Sequence, residues 1–184
     1  MISYVFVDMD NTIAENITCK NIEFCDGMYI NKRPIQIVID ALNTLYPKAK
    51  FIIISQVQGG TLGIKEKIEW LNKYFPNTSQ SFFLHPGERK SDYIEWFLKI
   101  NGIMNTQVLL VDDKKDILSS MSSLGISVKY PQQIICDYEE LKRLLRAVLE
   151  RLIVYYGLGK VRLSKAGFQL VSGEKELSFA WLLM

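Results

Sequence analysis

The strongest constraint in this chain is a rhythm: short runs of β-branched and apolar residues recur between segments with helical spacing, and several runs stop abruptly at carboxylates or hydroxyls. Tyr4–Val7, Phe51–Ile54 and Val108–Val111 are the clearest runs, and Ser81–Leu84 and Ser127–Lys129 are weaker ones. Runs this short and this uniformly apolar suit strands buried on both faces, and their alternation with helices implies a parallel sheet with crossover connections. The expected fold class is therefore α/β, a Rossmann-like three-layer α/β/α arrangement around a central, mostly parallel sheet.

Four helices are expected between the strands. Ile35–Leu45 follows Pro34 at a first helical position, and Ile64–Tyr74 carries Ile64, Ile68, Leu71 and Phe75 at helical spacing; Ser91–Ile100 and Asp116–Leu124 complete the set. Further on, Tyr138, Leu141, Leu145, Val148 and Leu152 recur at intervals of three and four, the pattern of a C-terminal amphipathic helix. Beyond Gly157 and Gly159, the runs Val161–Leu163, Phe168–Val171 and Leu177–Leu183 read as strands of a terminal β-hairpin. The expected organisation is a core over 1–156 with a minimal cap insertion at about 14–33, and a hairpin-like appendage over 157–184.

Composition removes several function classes. With 22 Lys plus Arg against 20 Asp plus Glu, the net charge of +2 makes no global case for nucleic acid. The basic stretch from Lys142 to Lys165 reads as the solvated face of a helix, so nucleic acid is the less favoured partner. Cys19, Cys25 and Cys136 lack metal-ligand spacing and lie far in sequence from His85, which argues against a zinc site or a disulfide scaffold. His85 itself, ahead of Pro86, reads as a loop residue. The opening residues lack the basic lead and apolar core of a signal peptide, and no apolar run reaches membrane-spanning length. The expectation is a cytoplasmic protein with no membrane partner. The apolar tail Leu177–Met184 should pack on its own domain or form a homo-oligomeric contact through the hairpin.

In an open α/β sheet, ligands bind beyond the carboxyl ends of the strands. The residues delivered there are Asp8-Met9-Asp10-Asn11-Thr12, then Ser55-Gln56, then Asp112-Asp113 with Asp116. Asp8, Asp10, Asp112 and Asp113 at one rim would repel and raise one another's pKa unless a cation neutralised them, and hard oxygen ligands suit Mg²⁺. Carboxylates two apart can divide labour, one attacking phosphorus while the other manages the leaving-group proton. The paired Gly59 and Gly60 in the loop Gln56–Gly63 would let backbone approach a leaving group.

These residues resemble the four motifs of haloacid dehalogenase superfamily phosphatases. Val7-Asp8-Met9-Asp10-Asn11-Thr12 is similar to the DxDxT first motif, Ser55 to the second, Lys90 to the third, and Val111-Asp112-Asp113 with Asp116 to the acidic fourth, in order over roughly the first 130 residues. The resemblance implies a Mg²⁺-dependent phosphomonoester hydrolase in which Asp8 forms an aspartyl-phosphate and Asp10 serves as general acid and then base. It implies that Ser55 binds a phosphoryl oxygen, that Lys90 or its neighbour Arg89 offsets charge in the transition state, and that Thr12 steadies the loop. Substrate contacts would come from Thr12, Ser55, Gln56 and Lys90. Asp8, Asp112 and Asp113, with the backbone carbonyl of Asp10, would hold the metal, and which of Asp112 and Asp113 touches it directly stays open. Asp116 either begins a helix or orients Lys90. Asn11 stands where the family often has glycine, at a turn that can demand positive φ, which asparagine tolerates better than most residues.

The insertion Ala14–Arg33 is too short for a cap domain, so the expectation is either an open site that accepts large or extended phosphate esters or a site covered by a partner subunit. The pattern Lys67-x-x-Trp70-Leu71-x-x-x-Phe75-Pro76 is similar to the 5′(3′)-deoxyribonucleotidase-like branch, although a buried Trp70 has an ordinary packing explanation. A nucleotide or another small phosphorylated metabolite is the expected substrate. The alternatives are a phosphatase of nucleic-acid ends, and a non-catalytic binding or assembly module that keeps the fold.

Overall fold

A computed structural model of the chain describes residues 1–16, 24–156, 161–164, 167–172 and 175–179. Strand β1 (Tyr4–Val7) leads through the insertion to helix α1 (Gln36–Leu45), then β2 (Lys50–Gln56), α2 (Gly60–Tyr74), β3 (Thr78–Leu84), α3 (Lys90–Asn101), β4 (Val108–Val111), α4 (Lys115–Ser123), β5 (Ser127–Lys129) and α5 (Pro131–Tyr156). The sheet order is β3-β2-β1-β4-β5, with every pairing parallel. The chain thus moves outward from β1 to β3 and then crosses to β4, so that β1 and β4 flank the switch point where such sheets bind ligands.

Alternation along the strands sorts the core into two faces. Phe6, Ile52, Ile54 and Leu110 join Ile94, Phe97 and Leu98 of α3 and Leu118 and Met121 of α4 in one cluster. On the other face Val5, Val7, Phe51 and Ile53 are buried, and Phe51 meets Phe75 at 5.1 Å between ring centroids. Right-handed crossovers place α1 and α2 on that second face, which completes the three layers. Phe6 is fully buried at the middle of the sheet, edge-on to Phe97 at 5.6 Å. Truncating such a residue to alanine costs about 3–5 kcal/mol.

Several boundaries differ from the pattern-based expectation for physical reasons. Helix α2 begins four residues before Ile64, because Gly59 takes a left-handed φ of 78° and turns the chain directly from β2 into the helix. Its buried residues are Gly63, Glu66, Lys67, Trp70 and Leu71, and Ile68 is exposed. Strand β3 starts at Thr78, ahead of Ser81, and α5 starts at Pro131, seven residues before Tyr138. The terminal runs form a three-stranded antiparallel sheet, β6 (Val161–Ser164), β7 (Gly167–Ser172) and β8 (Lys175–Phe179); the part of the last expected run beyond Phe179 lies outside the described residues. The chain divides into compact units Met1–Ile135 and Cys136–Met184, a boundary inside α5 rather than after it. In the insertion, residues 17–23, Cys19 among them, lie outside the described residues, and 24–32 form mainly turns. No described helix is long and apolar enough to cross a membrane.

Candidate active site

The sheet register builds the site. Val7 of β1 pairs with Val111 of β4, so the next residues, Asp8 and Asp112, emerge side by side at the carboxyl edge. Carboxylate oxygens of Asp8, Asp112 and Asp113 lie within 4.8 Å of one another. Lys90, the first residue of α3, reaches between them: its Nζ donates to Asp8 Oδ1 at 2.6 Å and to Asp112 Oδ2 at 2.5 Å. The other oxygen of Asp112 accepts the backbone N–H of Lys114 at 2.9 Å. Thr12 is fully buried, with its hydroxyl 3.5 Å from Asp8 Oδ2, and Asn11 adopts the left-handed φ of 61° that this turn requires. Of the two adjacent cations, Lys90 is the buried one; Arg89 points outward near Asp92. Asp116 is exposed in the first turn of α4, a position that favours an acidic side chain, and Lys90 is paired with Asp8 and Asp112.

Of three clustered carboxylates, buried or half-buried, Asp8 and Asp112 share one ammonium group, and the imbalance shows. Burial pushes the Asp8 carboxyl above the usual carboxylate range; Lys90 opposes the shift, while the neighbouring Asp112 and Asp10 charges add to it. Burial disfavours the charged form of Lys90 as well, but the Asp8 and Asp112 carboxylates hold its pKa above the ordinary lysine value. Oδ1 of Asp113 is buried with no hydrogen-bond donor. An all-oxygen donor set with an orphaned acceptor and excess negative charge fits a hard divalent cation such as Mg²⁺.

Asp10 faces a different environment. Its Oδ1 accepts from Lys32, and its Oδ2 accepts from Lys67 at 2.7 Å. The same Lys67 ammonium donates to Ser55 Oγ at 2.8 Å and to the carbonyl of Gln56 at 2.7 Å. Burial raises the Asp10 pKa, but the two ammonium groups outweigh it and hold the carboxyl below its ordinary value. Burial in turn pulls the Lys67 pKa below the ordinary lysine value. The Asp10 side chain therefore stands outside the three-carboxylate cluster; the metal contact expected of this residue was through its backbone carbonyl.

Neither Lys32 nor Lys67 is a site residue in the sequence reading: Lys32 reads as an ordinary charged position, and Lys67 enters only as part of the pattern with Trp70 and Leu71. The fold buries both completely or nearly so. Helix α2 holds the insertion that carries Lys32: Glu66 accepts the backbone N–H groups of Gly27 at 2.6 Å and Tyr29 at 2.8 Å, and Trp70 Nε1 donates to the Lys32 carbonyl at 2.8 Å. Phe24 lies so close against Gly59 that a Cβ there would sit 2.4 Å from its ring. Lys67 Nζ also lies over the Tyr29 ring, 4.4 Å from its centroid. One available signal was the spacing of Gly63, Glu66, Lys67, Trp70 and Leu71, which marks a single helix face that includes two charged residues.

Above these groups opens a cavity of about 310 Å³, lined by Asp8, Asp10, Lys32, Gln56, Lys90 and Lys114 among others. A second cavity of about 300 Å³ shares Gln56, Lys90 and Lys114 with it. Ser55 and Thr12 are fully buried, whereas Gln56 is exposed.

No family model matches the sequence, and no curated protein does either. Solved structures do match in fold. A haloacid dehalogenase-like hydrolase from Xanthomonas campestris aligns with a TM-score of 0.52 at 10% identity, over 70% of this chain and 82% of that one. A haloacid dehalogenase-like hydrolase from Streptococcus pneumoniae aligns with a TM-score of 0.51 at 12% identity, over 74% and 90%. The N-terminal part of a Bacteroides fragilis protein, containing a phosphatase domain and complexed with Mg, aligns with a TM-score of 0.51 at 17% identity, over 70% of this chain and 35% of that one. With its five parallel strands in the order 3-2-1-4-5, the chain has the α/β fold of haloacid dehalogenase-like hydrolases.

Proposed function

We propose that the chain is a phosphomonoester hydrolase that works through an aspartyl-phosphate on Asp8. The observation that carries this reading is the meeting of Asp8, Asp112, Asp113 and Lys90 at the sheet's switch point, beneath an open cavity. An oxygen of Asp8 attacks phosphorus, the bond to the leaving oxygen breaks, and that oxygen takes a proton from Asp10. Water then attacks the aspartyl-phosphate with Asp10 as base, which releases inorganic phosphate and restores Asp8. The two ammonium groups on Asp10 favour its carboxylate, the form this second half needs, and make the protonated form that the first half needs the scarcer one. Lys90 keeps Asp8 from being isolated among negative charges and offsets the charge that builds on the phosphoryl oxygens.

Asp8, Asp112 and Asp113 are the side chains that would hold Mg²⁺, and the chemistry it supplies there is neutralisation of phosphoryl charge. Gln56 and Lys90 line the cavity and are the substrate contacts of this reading, while Ser55 braces Lys67 from beneath. A small phosphorylated metabolite, a nucleotide among them, fits the cavity's size. The Lys67 and Trp70 pattern that resembles the nucleotidase-like branch has contacts of its own, to Asp10 and to the Lys32 carbonyl, and so favours no particular ester.

The test is phosphate release from nucleoside monophosphates, sugar phosphates and 3′-phosphorylated oligonucleotides, with and without Mg²⁺, for the wild type and Asp8→Asn. Metal-dependent release that the substitution abolishes is the expected result. Absence of release from every ester would favour a non-catalytic module.

A further inference from the structure

Asp10 follows Asp8 by two residues and lines the same cavity, yet its carboxylate is not one of the three that cluster. A carboxylate so placed is attracted to any cation the cluster holds, and once bound there it cannot transfer a proton at the leaving-group oxygen. Two ion pairs prevent this: both Asp10 oxygens are taken, Oδ1 by Lys32 and Oδ2 by Lys67. Lys67 is rigidly placed, because its three hydrogens go to three acceptors, Asp10 Oδ2, Ser55 Oγ and the Gln56 carbonyl, and its side chain is fully buried. Lys32 is held from the opposite side by the insertion, whose anchors are Glu66 and Trp70 on the same helix as Lys67.

We propose that Lys67, with Lys32, is a positioning residue that keeps the Asp10 carboxylate out of the metal's coordination and at the wall of the cavity. This rests on the phosphohydrolase reading above and adds the reason for two buried lysines that the reaction does not otherwise use. Asp10 lines the cavity with a side chain 28% exposed, whereas Lys67 beneath it is fully buried and outside the lining, so Lys67 acts on substrate only through Asp10; Lys32, 1% exposed, reaches the cavity wall beside it.

The test measures Mg²⁺ affinity by titration calorimetry and turnover of the best ester, for the wild type, Lys67→Met, Asp10→Asn and the double variant. Releasing one oxygen of Asp10 adds a carboxylate to the cation site, so Lys67→Met should bind Mg²⁺ roughly 3–10-fold more tightly, since affinity follows ligand charge. Its kcat should fall by about 10²-fold, the scale of a lost proton-transfer group, with KM little changed. In the double variant the extra Mg²⁺ affinity should vanish, because the carboxylate that caused it is gone. Lys32→Met frees the other oxygen and carries the same expectations if Lys67→Met does not fold. A purely structural lysine would weaken Mg²⁺ binding and turnover together; unchanged or weaker Mg²⁺ binding in Lys67→Met therefore overturns the proposal. A wild type that neither binds Mg²⁺ nor turns over any ester would instead overturn the phosphohydrolase reading, and this inference with it.

Discussion

Replacing Lys90 with methionine keeps the shape of the side chain and removes its charge. In the wild type one ammonium, 4% exposed, serves Asp8 at 2.6 Å and Asp112 at 2.5 Å, whose side chains are 7% and 0% exposed. Breaking a buried pair by deleting one partner costs about 3–5 kcal/mol, because the carboxylates left behind are neither solvated nor neutralised. For a chain of this size that is a fall in melting temperature of about 10 °C in metal-free buffer. At one fixed concentration Mg²⁺ stabilises both chains by an amount that grows with affinity, and it should bind the Lys90→Met chain more tightly because the same carboxylates lack their ammonium, so the deficit should narrow by about 1.4 kcal/mol for each tenfold gain in affinity. Turnover should stay about 10²–10³-fold down even with metal, since the lost charge acts at the transition state. The assay is a thermal melt followed by circular dichroism, with and without Mg²⁺, alongside phosphate release. A metal-free Lys90→Met that melts together with the wild type would refute the buried charge cluster, and a deficit of equal size with and without Mg²⁺ would refute the sharing of carboxylates.

Three further outcomes follow from the same geometry. Because burial raises the Asp8 pKa, its ionised form destabilises the folded chain as pH rises above 3.8, so Asp8→Asn should melt higher than the wild type at neutral pH without metal; a lower melt contradicts the shift. Asp10 has the opposite sign: its depressed pKa contributes stability that is present above 3.8 and lost as pH falls through the lower folded value, so the melting gap between wild type and Asp10→Asn should close in acid, and a gap that persists at low pH refutes the pairing. Glu66→Ala strands the backbone N–H groups of Gly27 and Tyr29, each charge-assisted bond being worth about 1.5–3 kcal/mol, and hydrogen exchange of those two amides should accelerate by at least tenfold; unchanged exchange would show that the insertion is held by other contacts.

What could be read before folding and what could not divides along sequence distance. Asp8 and Asp112 follow directly on apolar strands, Ser55 closes an apolar run one residue before the end of β2, and Lys90 opens a helix, so local pattern alone places them at the carboxyl edge. The choice between Lys90 and Arg89 needed the structure, because adjacent residues at a helix start point in different directions, and only Lys90 turns inward. Helix α2 misled the apolar spacing: Ile64 and Ile68 suggest one buried stripe, but Glu66 and Lys67 occupy the buried face because the insertion and Asp10 provide their partners. Those partners lie 39 and 57 residues away, beyond the reach of any local periodicity. The start of α2 at Gly60 was hidden for a related reason, since two glycines read as a loop and here form the turn that enters the helix.

The central claim is a covalent phosphoryl group on Asp8. The direct measurement is to mix enzyme, Mg²⁺ and an excess of the preferred ester, quench in acid within the first turnover, and map the digested chain by mass spectrometry. One added phosphoryl group on the peptide carrying Asp8, absent in Asp8→Asn, is the expected result. An ester that is hydrolysed while that peptide stays unmodified at every quench time would contradict it.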